Sequence, residues 1–105
     1  MKINPDAMTA QAGKASTLLG AMSNQTRLMI LCHLIAGERS VTELAELLGT
    51  RQSTISQHLA LLKEDTLVQA RREGQSQFYS LTGDEARSVL EVLYELYCVP
   101  ASRKK

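Results

Sequence analysis

Residues 52–64 combine a pattern typical of a buried helix face with a row of hydrogen-bonding side chains. Ile55, Leu59 and Leu62 recur at helical spacing, which predicts a helix that packs along one side. The rest of its first half carries polar residues: Gln52, Ser53, Thr54, Ser56 and Gln57. Glutamine can pair with adenine through two hydrogen bonds, and hydroxyl groups can bond to bases or phosphates. The row predicts contact with base edges, and for each residue alone a solvated surface is the simpler alternative.

Basic residues stand at both ends of this helix and in the segment that follows it. The basic residues are Arg51, Lys63, Arg71 and Arg72, and the amide Gln75 lies in the same segment as Arg71 and Arg72. We expect these side chains to neutralise phosphates or to reach a minor groove. His58 falls nearer the buried side, so we expect a structural or phosphate role for it. The whole chain has a formal net charge of only +1, so the local distribution of charge is more informative, including the basic cluster at 103–105.

Five helices and one hairpin are needed to position these residues. Ser40 and Glu43 form a capping-box pattern at the start of a short helix over 41–48, and Gly49 is a natural residue to end that helix. Alternating apolar residues after residue 66 predict a hairpin. The predicted elements are helices over 6–22, 25–36, 41–48, 52–64 and 83–98, and a hairpin pairing 67–72 with 77–81 across a turn at 73–75. This order predicts a mainly α fold with a β-hairpin wing, a winged helix-turn-helix.

Two of these helices also predict how the protein assembles. On the second helix, the residues at i, i+3, i+4 and i+7 form one expected buried stripe: Leu28, Leu31, Cys32 and Ile35. On the last helix, apolar residues cover about two-thirds of the circumference. One domain's core needs a narrower stripe, so we expect a homodimer through the first and last helices. A last helix sandwiched within one monomer is the alternative.

Length and composition indicate one domain. The 105 residues are 44% apolar, which suffices for a compact core, and we expect a single domain over 1–105 with flexible ends at 1–5 and 100–105. No apolar run approaches the roughly 20 residues of a membrane span. The first residues lack a charged-then-apolar signal pattern, so we expect a cytoplasmic protein without a membrane partner.

The sequence resembles the ArsR/SmtB family of winged-helix repressors over nearly all of residues 15–98. The residues that carry the resemblance are Ser23-Asn24-Gln25-Thr26-Arg27-Leu28, Leu44-Ala45, Gln52-Ser53-Thr54-Ile55-Ser56-Gln57-His58-Leu59 and Phe78-Tyr79-Ser80-Leu81. The resemblance implies a homodimer on a palindromic operator in double-stranded DNA, with the helix over 52–64 of each subunit in a major groove. One residue departs from it: Thr66 stands where relatives usually have the glycine that ends this helix. If φ is positive there, a β-branched residue is strained.

The residues also bear on what the protein senses. Metal-binding members of the family use a cysteine cluster in the third helix or a His/Asp/Glu set along the last helix, and neither is present, so we expect no metal and no cofactor. Cys32 and Cys98 remain, and two isolated cysteines are most often inert packing residues. Ile30-Leu31-Cys32-His33 with Leu96-Tyr97-Cys98 resembles the persulfide- and redox-sensing branch, the SqrR, BigR and HlyU-like regulators.

Resemblance to that branch implies that a disulfide or polysulfide bridge between Cys32 and Cys98 releases the operator, with reactive sulfur species or an oxidant as inducer. Members of the branch either repress directly or displace a silencing protein, and both remain open. The alternative is a DNA-binding regulator with structural cysteines and a different inducer, a metal or a small molecule. We expect no enzyme, because the chain has no Cys-x-x-Cys pair and no glycine-rich phosphate loop.

Overall fold

The computed structural model of the chain describes residues 1–100, which form five helices and a three-stranded antiparallel sheet. In chain order the elements are α1 (Pro5–Met22), α2 (Gln25–Leu34), β1 (Arg39–Ser40), α3 (Val41–Leu48), α4 (Gln52–Glu64), β2 (Val68–Glu73), β3 (Ser76–Leu81) and α5 (Glu85–Cys98). The predicted winged helix-turn-helix is confirmed. The predicted basic cluster Arg103-Lys104-Lys105 lies outside the described residues. No helix within 1–100 is long and apolar enough to cross a membrane.

The core lies where α2, α3 and α4 meet beneath the sheet. Its fully buried side chains come from these three helices: Ile30, Leu31, Leu34, Leu44, Ile55, Leu59 and Leu62. The buried face predicted for residues 52–64 is therefore confirmed. The same buried cluster includes Val68 of β2, two residues of α5 and three of α1: Ala86, Leu90, Leu18, Ala21 and Met22. Burial of these aliphatic groups holds α4 against the domain and leaves its polar side exposed.

The buried side of α2 differs from the prediction, which placed Cys32 on it. The buried residues are Ile30, Leu31 and Leu34, whereas Leu28 and Ile35 are only partly buried and Cys32 is exposed. At about 100° per residue, Cys32 points roughly 150° away from the middle of that buried face. The error has a simple cause: α2 is apolar around most of its circumference, so spacing alone does not select one face.

Local sequence signals set the start and end of the helix-turn-helix. The Ser40 hydroxyl oxygen accepts a hydrogen bond from the Glu43 backbone N–H at 3.1 Å, and the Glu43 carboxylate accepts one from the Ser40 N–H at 2.9 Å. This is the predicted capping box. Gly49 ends α3 with φ +64°, and the Thr50 N–H donates to the Ala45 carbonyl oxygen at 3.0 Å. The left-handed residue turns the chain into α4.

Thr66 has the left-handed conformation expected at a position where relatives usually have glycine. Its φ is +58°, the one positive value among the non-glycine residues of the described chain. The Thr66 N–H donates to the Lys63 carbonyl oxygen and the Leu67 N–H to the Leu62 carbonyl oxygen, at 3.0 and 2.9 Å. These two bonds make a complete Schellman motif, so α4 ends regularly although a β-branched residue is strained at this position.

The wing is part of a sheet with the strand order β1-β3-β2. Strands β2 and β3 pair from Val68↔Leu81 to Glu73↔Ser76, which leaves a two-residue turn at Gly74-Gln75. The sequence predicted this hairpin but missed β1, which pairs Arg39 with Tyr79 and Ser40 with Phe78. A strand of two residues is too short to show an alternating pattern. It matters because β1 leads directly into α3 and so joins the wing to the helix-turn-helix.

Candidate nucleic-acid interface

A polar groove of about 500 Å³ runs between the first half of α4 and the wing. It brings together four residues predicted from the sequence: Gln52 and Ser56 from α4, and Arg72 and Gln75 from the hairpin. Gln52 and Ser56 are one helical turn apart and exposed, so both side chains project from the same face. The rest of the lining comes from the end of β1, the start of α3 and β3: Ser40, Val41, Thr42, Ser76, Gln77 and Phe78.

Two further positions of α4 continue the stripe begun by Gln52 and Ser56. Ala60 and Lys63 are exposed and lie at i+8 and i+11 from Gln52, within about 80° of it around the helix. Lys63 stands about 16 Å along the axis from Gln52. The small Ala60 side chain leaves room between them. The stripe therefore combines an amide and a hydroxyl at one end with a positive charge at the other.

The remaining residues predicted in and before α4 lie outside this stripe. Ser53 and Gln57 are exposed on one side of it, and Thr54 is half-buried on the far side of the helix. Arg51 is the exposed residue that precedes the first turn of α4. Among the described residues, none of these four lines the groove, whereas Thr42 does. Thr42 was not singled out from the sequence as a groove residue, although its place at the start of the helix over 41–48 was a usable signal.

The two arginines of β2 have different surroundings. Arg72 lines the groove beside α4, and its Nε donates to the Gly74 carbonyl oxygen at 3.2 Å. Arg71 is on the opposite face of the strand, because successive side chains alternate. Its guanidinium forms ion pairs with Glu38 at 2.8 Å and Glu73 at 2.6 Å. Hydrogen bonds from Arg71 to the Glu38 and Glu73 carboxylates raise the pKa of its guanidinium above the usual arginine value.

His58, for which the sequence predicts a structural or phosphate role, is half-buried and lies beside Arg27 of α2. The Nη1 atom of Arg27 lies 3.5 Å from its Nδ1 atom. Burial lowers the pKa of His58, and the nearby Arg27 charge lowers it further. The Nε of Arg27 also donates to the Ala21 carbonyl oxygen at 3.0 Å. The imidazole therefore lies against the junction of α1 and α2, and His58 is not among the described residues that line the groove.

The two cysteines are free thiols, and both are exposed in the protomer. Cys32 lies on α2 and Cys98 is the last residue of α5. These two helices contact each other, and the Arg87 Nη1 at the start of α5 donates to the Ile35 carbonyl oxygen beyond the end of α2 at 3.4 Å. Within residues 1–100 no group of three or more His, Cys, Asp or Glu side chains comes together as a metal cluster.

A second exposed surface is apolar and lies on α1 and α5. Large side chains on it are between half and four-fifths exposed: Met8 at 50%, Leu19 at 57%, Val92 at 57%, Tyr94 at 61% and Tyr97 at 82%. Exposed side chains of this size on two helices are unusual for a monomer, and such patches commonly mark protein contacts. This surface is separate from the polar groove between α4 and the wing.

A helix-turn-helix followed by a hairpin, with a polar helix face beside that hairpin, defines the winged helix-turn-helix class. Residues 24–70 match the family model described as bacterial regulatory protein, arsR family. The transcriptional activator HlyU of Vibrio cholerae is 46% identical over 96 residues, which are 91% of this chain and 89% of HlyU. The chain therefore belongs to the ArsR family of bacterial transcriptional regulators. The predicted resemblance is confirmed, and the relatives it matches are regulators and not enzymes.

Solved structures support the same assignment. Reduced HlyU from Vibrio cholerae superposes with a TM-score of 0.82, at 46% identity, over 89% of this chain and 98% of that one. The transcriptional repressor BigR from Xylella fastidiosa gives 0.87, at 36% identity, over 93% and 100%. The homodimeric winged helix-turn-helix DNA-binding domain of Mb0332 from Mycobacterium bovis gives 0.75, at 32% identity, over 91% and 89%. The chain is similar to these proteins over almost its whole described length.

Proposed function

We propose that the chain is a homodimeric transcriptional repressor that binds a palindromic operator, with α4 of each protomer in a major groove. The observation that carries this proposal is the groove that unites Gln52 and Ser56 with Arg72 and Gln75. A major groove admits a helix whose exposed amides and hydroxyls reach base edges, while residues beside it contact the backbone. Both kinds of side chain lie on adjoining surfaces here.

The proposed roles follow from side-chain chemistry and position. Gln52 and Ser56 read bases, and Gln57 and Ser53 reach bases or the nearer phosphates from the side of α4. Arg51, Lys63 and Arg72 neutralise phosphates, and Gln75 at the wing turn approaches the minor groove beside them. His58 and Thr54 support α4 from its less exposed sides.

The apolar surface of α1 and α5 supports the proposed dimer. Two protomers that share this surface would bury Met8, Leu19, Val92, Tyr94 and Tyr97, all of which are at least half exposed in one protomer. The Mycobacterium bovis domain, similar over 91% of this chain, is described as homodimeric. Two-fold symmetry also fits a palindrome, whose half-sites must lie about 34 Å apart.

The proposed DNA surface is tested by pairing a base-reading variant with a phosphate-binding one. Gln52→Ala is expected to weaken binding to the operator by about 1–3 kcal/mol for each base pair that it no longer reads, with little change on unrelated duplexes. Arg72→Gln is expected to weaken binding to all duplexes alike and to reduce the salt slope by about 1 for each phosphate that it no longer neutralises. If both variants bind the operator as the wild type does, this surface does not contact DNA.

We further propose that reactive sulfur species switch this binding through Cys32 and Cys98. A persulfide, RSSH, transfers its outer sulfur to one cysteine, which gives Cys–SSH and RSH. The second thiol attacks the first cysteine's Sγ and forms a disulfide, while the transferred sulfur leaves as H₂S. Two thiols are thereby oxidised and one sulfane sulfur is reduced. If a second persulfide first converts Cys–SSH into Cys–SSSH, with release of RSH, the second thiol attacks the sulfur next to Sγ. The product is then a trisulfide bridge, and the terminal sulfur leaves as H₂S.

The exposure of both thiols favours this switch over the alternative of structural cysteines. An inert packing cysteine is buried, whereas Cys32 and Cys98 are reachable from solvent in the protomer. They lie on two helices that contact each other, and α5 also carries much of the apolar surface proposed for the dimer. A bridge would pull these helices together and change the angle between the two recognition helices. One of the similar structures is specifically of reduced HlyU.

Mass spectrometry together with operator binding tests the switch. Reduced protein treated with an organic persulfide is expected to lose two hydrogen atoms, or to lose two hydrogen atoms and gain one sulfur, and to bind DNA at least tenfold more weakly. That loss corresponds to about 1.4 kcal/mol. Cys98→Ser and Cys32→Ser should keep full affinity after treatment, and dithiothreitol should restore the wild type. Equal loss of binding in both variants would reject the bridge but leave the DNA-binding proposal intact.

A further inference from the structure

We infer that Arg71 positions the wing and does not bind phosphate, an inference that rests on the proposed DNA-binding function. The side chain crosses the whole sheet. Arg71 is on the edge strand β2, opposite Phe78 on the central strand β3, and Phe78 in turn pairs with Ser40 on β1. The Arg71 guanidinium lies 5.0 Å from the centre of the Phe78 ring. It ends at Glu38, the residue that immediately precedes β1.

The guanidinium of Arg71 is held from two sides. Its Nε donates to both carboxylate oxygens of Glu38, at 3.0 and 2.8 Å, and its Nη1 donates to Glu73 at 2.6 Å. Glu38 and Arg71 are 33 residues apart in sequence, whereas Glu73 is on the same strand as Arg71. A cation held over a ring and between two carboxylates has a defined direction, which an isolated surface arginine lacks.

This strap, formed by Arg71 and Glu38, acts on the part of the wing that the core does not hold. Val68 at the base of β2 is buried, but Arg71, Arg72 and Glu73 are exposed near the tip. A two-stranded ribbon is marginal in water without further packing. Glu38 lies beside β1, and β1 continues directly into α3. The ion pair therefore fixes the outer half of the wing relative to the helix-turn-helix, and with it the direction of Arg72.

Charge also argues against a phosphate role for Arg71. One positive guanidinium faces two carboxylates within 3 Å, so the local sum is negative. A phosphate would have to displace Glu38 or Glu73 to reach it. Arg72 is on the groove side, where its Nε donates to a neutral carbonyl oxygen, so a phosphate there displaces no carboxylate from that nitrogen. The two arginines thus divide positioning and phosphate binding between them.

The variant Glu38→Gln separates the two roles by the sign of its effect. If Glu38 merely competes with DNA for Arg71, its removal tightens binding. If Glu38 and Arg71 hold the wing, its removal weakens binding, and by the same factor as Arg71→Gln. Exposed ion pairs contribute little, so we expect up to about fivefold weaker binding. Glu46→Gln, an exposed glutamate of α3, controls for the loss of one negative charge.

The experiment measures operator binding by these variants at several salt concentrations. Arg71→Gln, Glu38→Gln and the double variant are expected to bind equally weakly with the wild-type salt slope, whereas Arg72→Gln lowers the slope. A lowered slope for Arg71→Gln, or tighter binding by Glu38→Gln than by Glu46→Gln, would overturn the inference. Hydrogen exchange without DNA gives an independent result. Arg71→Gln should speed exchange of wing amides at 70–78, and unchanged exchange there contradicts the strap even if the wild type binds no DNA.

Discussion

The Nη1 atom of Arg27 lies 3.5 Å from the Nδ1 atom of His58, and the Nε of the same arginine donates to the Ala21 carbonyl oxygen at 3.0 Å. One side chain from the first turn of α2 therefore joins the end of α1 to the middle of α4. In the proposed dimer α1 forms part of the interface and α4 enters the DNA. Arg27 gives these two elements a fixed relationship at the side of α4 that faces away from the groove.

This arrangement predicts how stability depends on pH. Burial and the Arg27 charge both lower the pKa of His58 in the folded protein. The unfolded chain then binds the proton more tightly, so this contribution to stability is present above the ordinary histidine pKa of about 6.5 and is lost as pH falls through the lowered value. Urea unfolding at pH 7.5 and 5.5 checks this. His58→Gln should lose less stability on acidification than the wild type, and an equal loss contradicts the prediction.

Thr66 offers a second prediction, because it occupies the left-handed position of a Schellman motif. Thr66→Gly removes the strain of a β-branched residue at φ +58° but makes the unfolded chain more flexible. The net effect expected is about 1 kcal/mol of added stability, or a rise in Tm of about 4–8 °C. Thermal unfolding by circular dichroism measures it.

Gly49 is the matched control for that substitution, since it ends α3 in the same left-handed conformation at φ +64°. Apart from the glycine itself and its two chain neighbours, no atom of the described residues lies within 4 Å of the position a Cβ would take there, so Gly49→Ala tests the backbone conformation alone. It should destabilise by about 1 kcal/mol. A neutral Gly49→Ala together with a destabilising Thr66→Gly would show that left-handed strain is not the deciding factor.

The dimer surface gives a third prediction. Val92→Glu places a charge among the exposed apolar side chains of α1 and α5, where Val92 is 57% exposed in one protomer. We expect dissociation to monomers at micromolar concentration and loss of operator binding, because a monomer engages only one half-site. Sedimentation measures the mass. Leu47→Glu, on α3 and 49% exposed, is the control and should remain dimeric. Dimers of Val92→Glu would place the interface elsewhere.

Sequence patterns predicted those features that depend on residues close together in the chain. The buried face of α4 could be predicted because Ile55, Leu59 and Leu62 recur at helical spacing while the other side of the first half of the helix is polar, and the hairpin because its strands alternate. The buried face of α2 could not, because apolar residues surround that helix. Strand β1 was too short to predict, and the Arg71–Glu38 ion pair joins residues 33 positions apart. Such interactions depend on tertiary packing.

The residues of the groove were likewise predicted from the sequence only in part. Gln52, Ser56, Arg72 and Gln75 were all singled out from residue type, and the structure brings them together. Residue type did not separate the roles of Arg71 and Arg72, although alternation along β2 already places them on opposite faces. Thr42 was not predicted to line the groove, because that residue comes from α3 and meets the wing only after β1 has paired with β3.

Operator binding by the reduced protein tests the central claim most directly. Fluorescence anisotropy with duplexes from upstream of its own coding region, in strongly reducing buffer, gives the affinity at 50 and 200 mM salt. A dimer that neutralises about 6–10 phosphates should bind at 50 mM salt and lose roughly 10³–10⁵ in affinity at 200 mM. No binding to any upstream duplex at 50 mM salt, or an affinity that does not change with salt, would contradict the account.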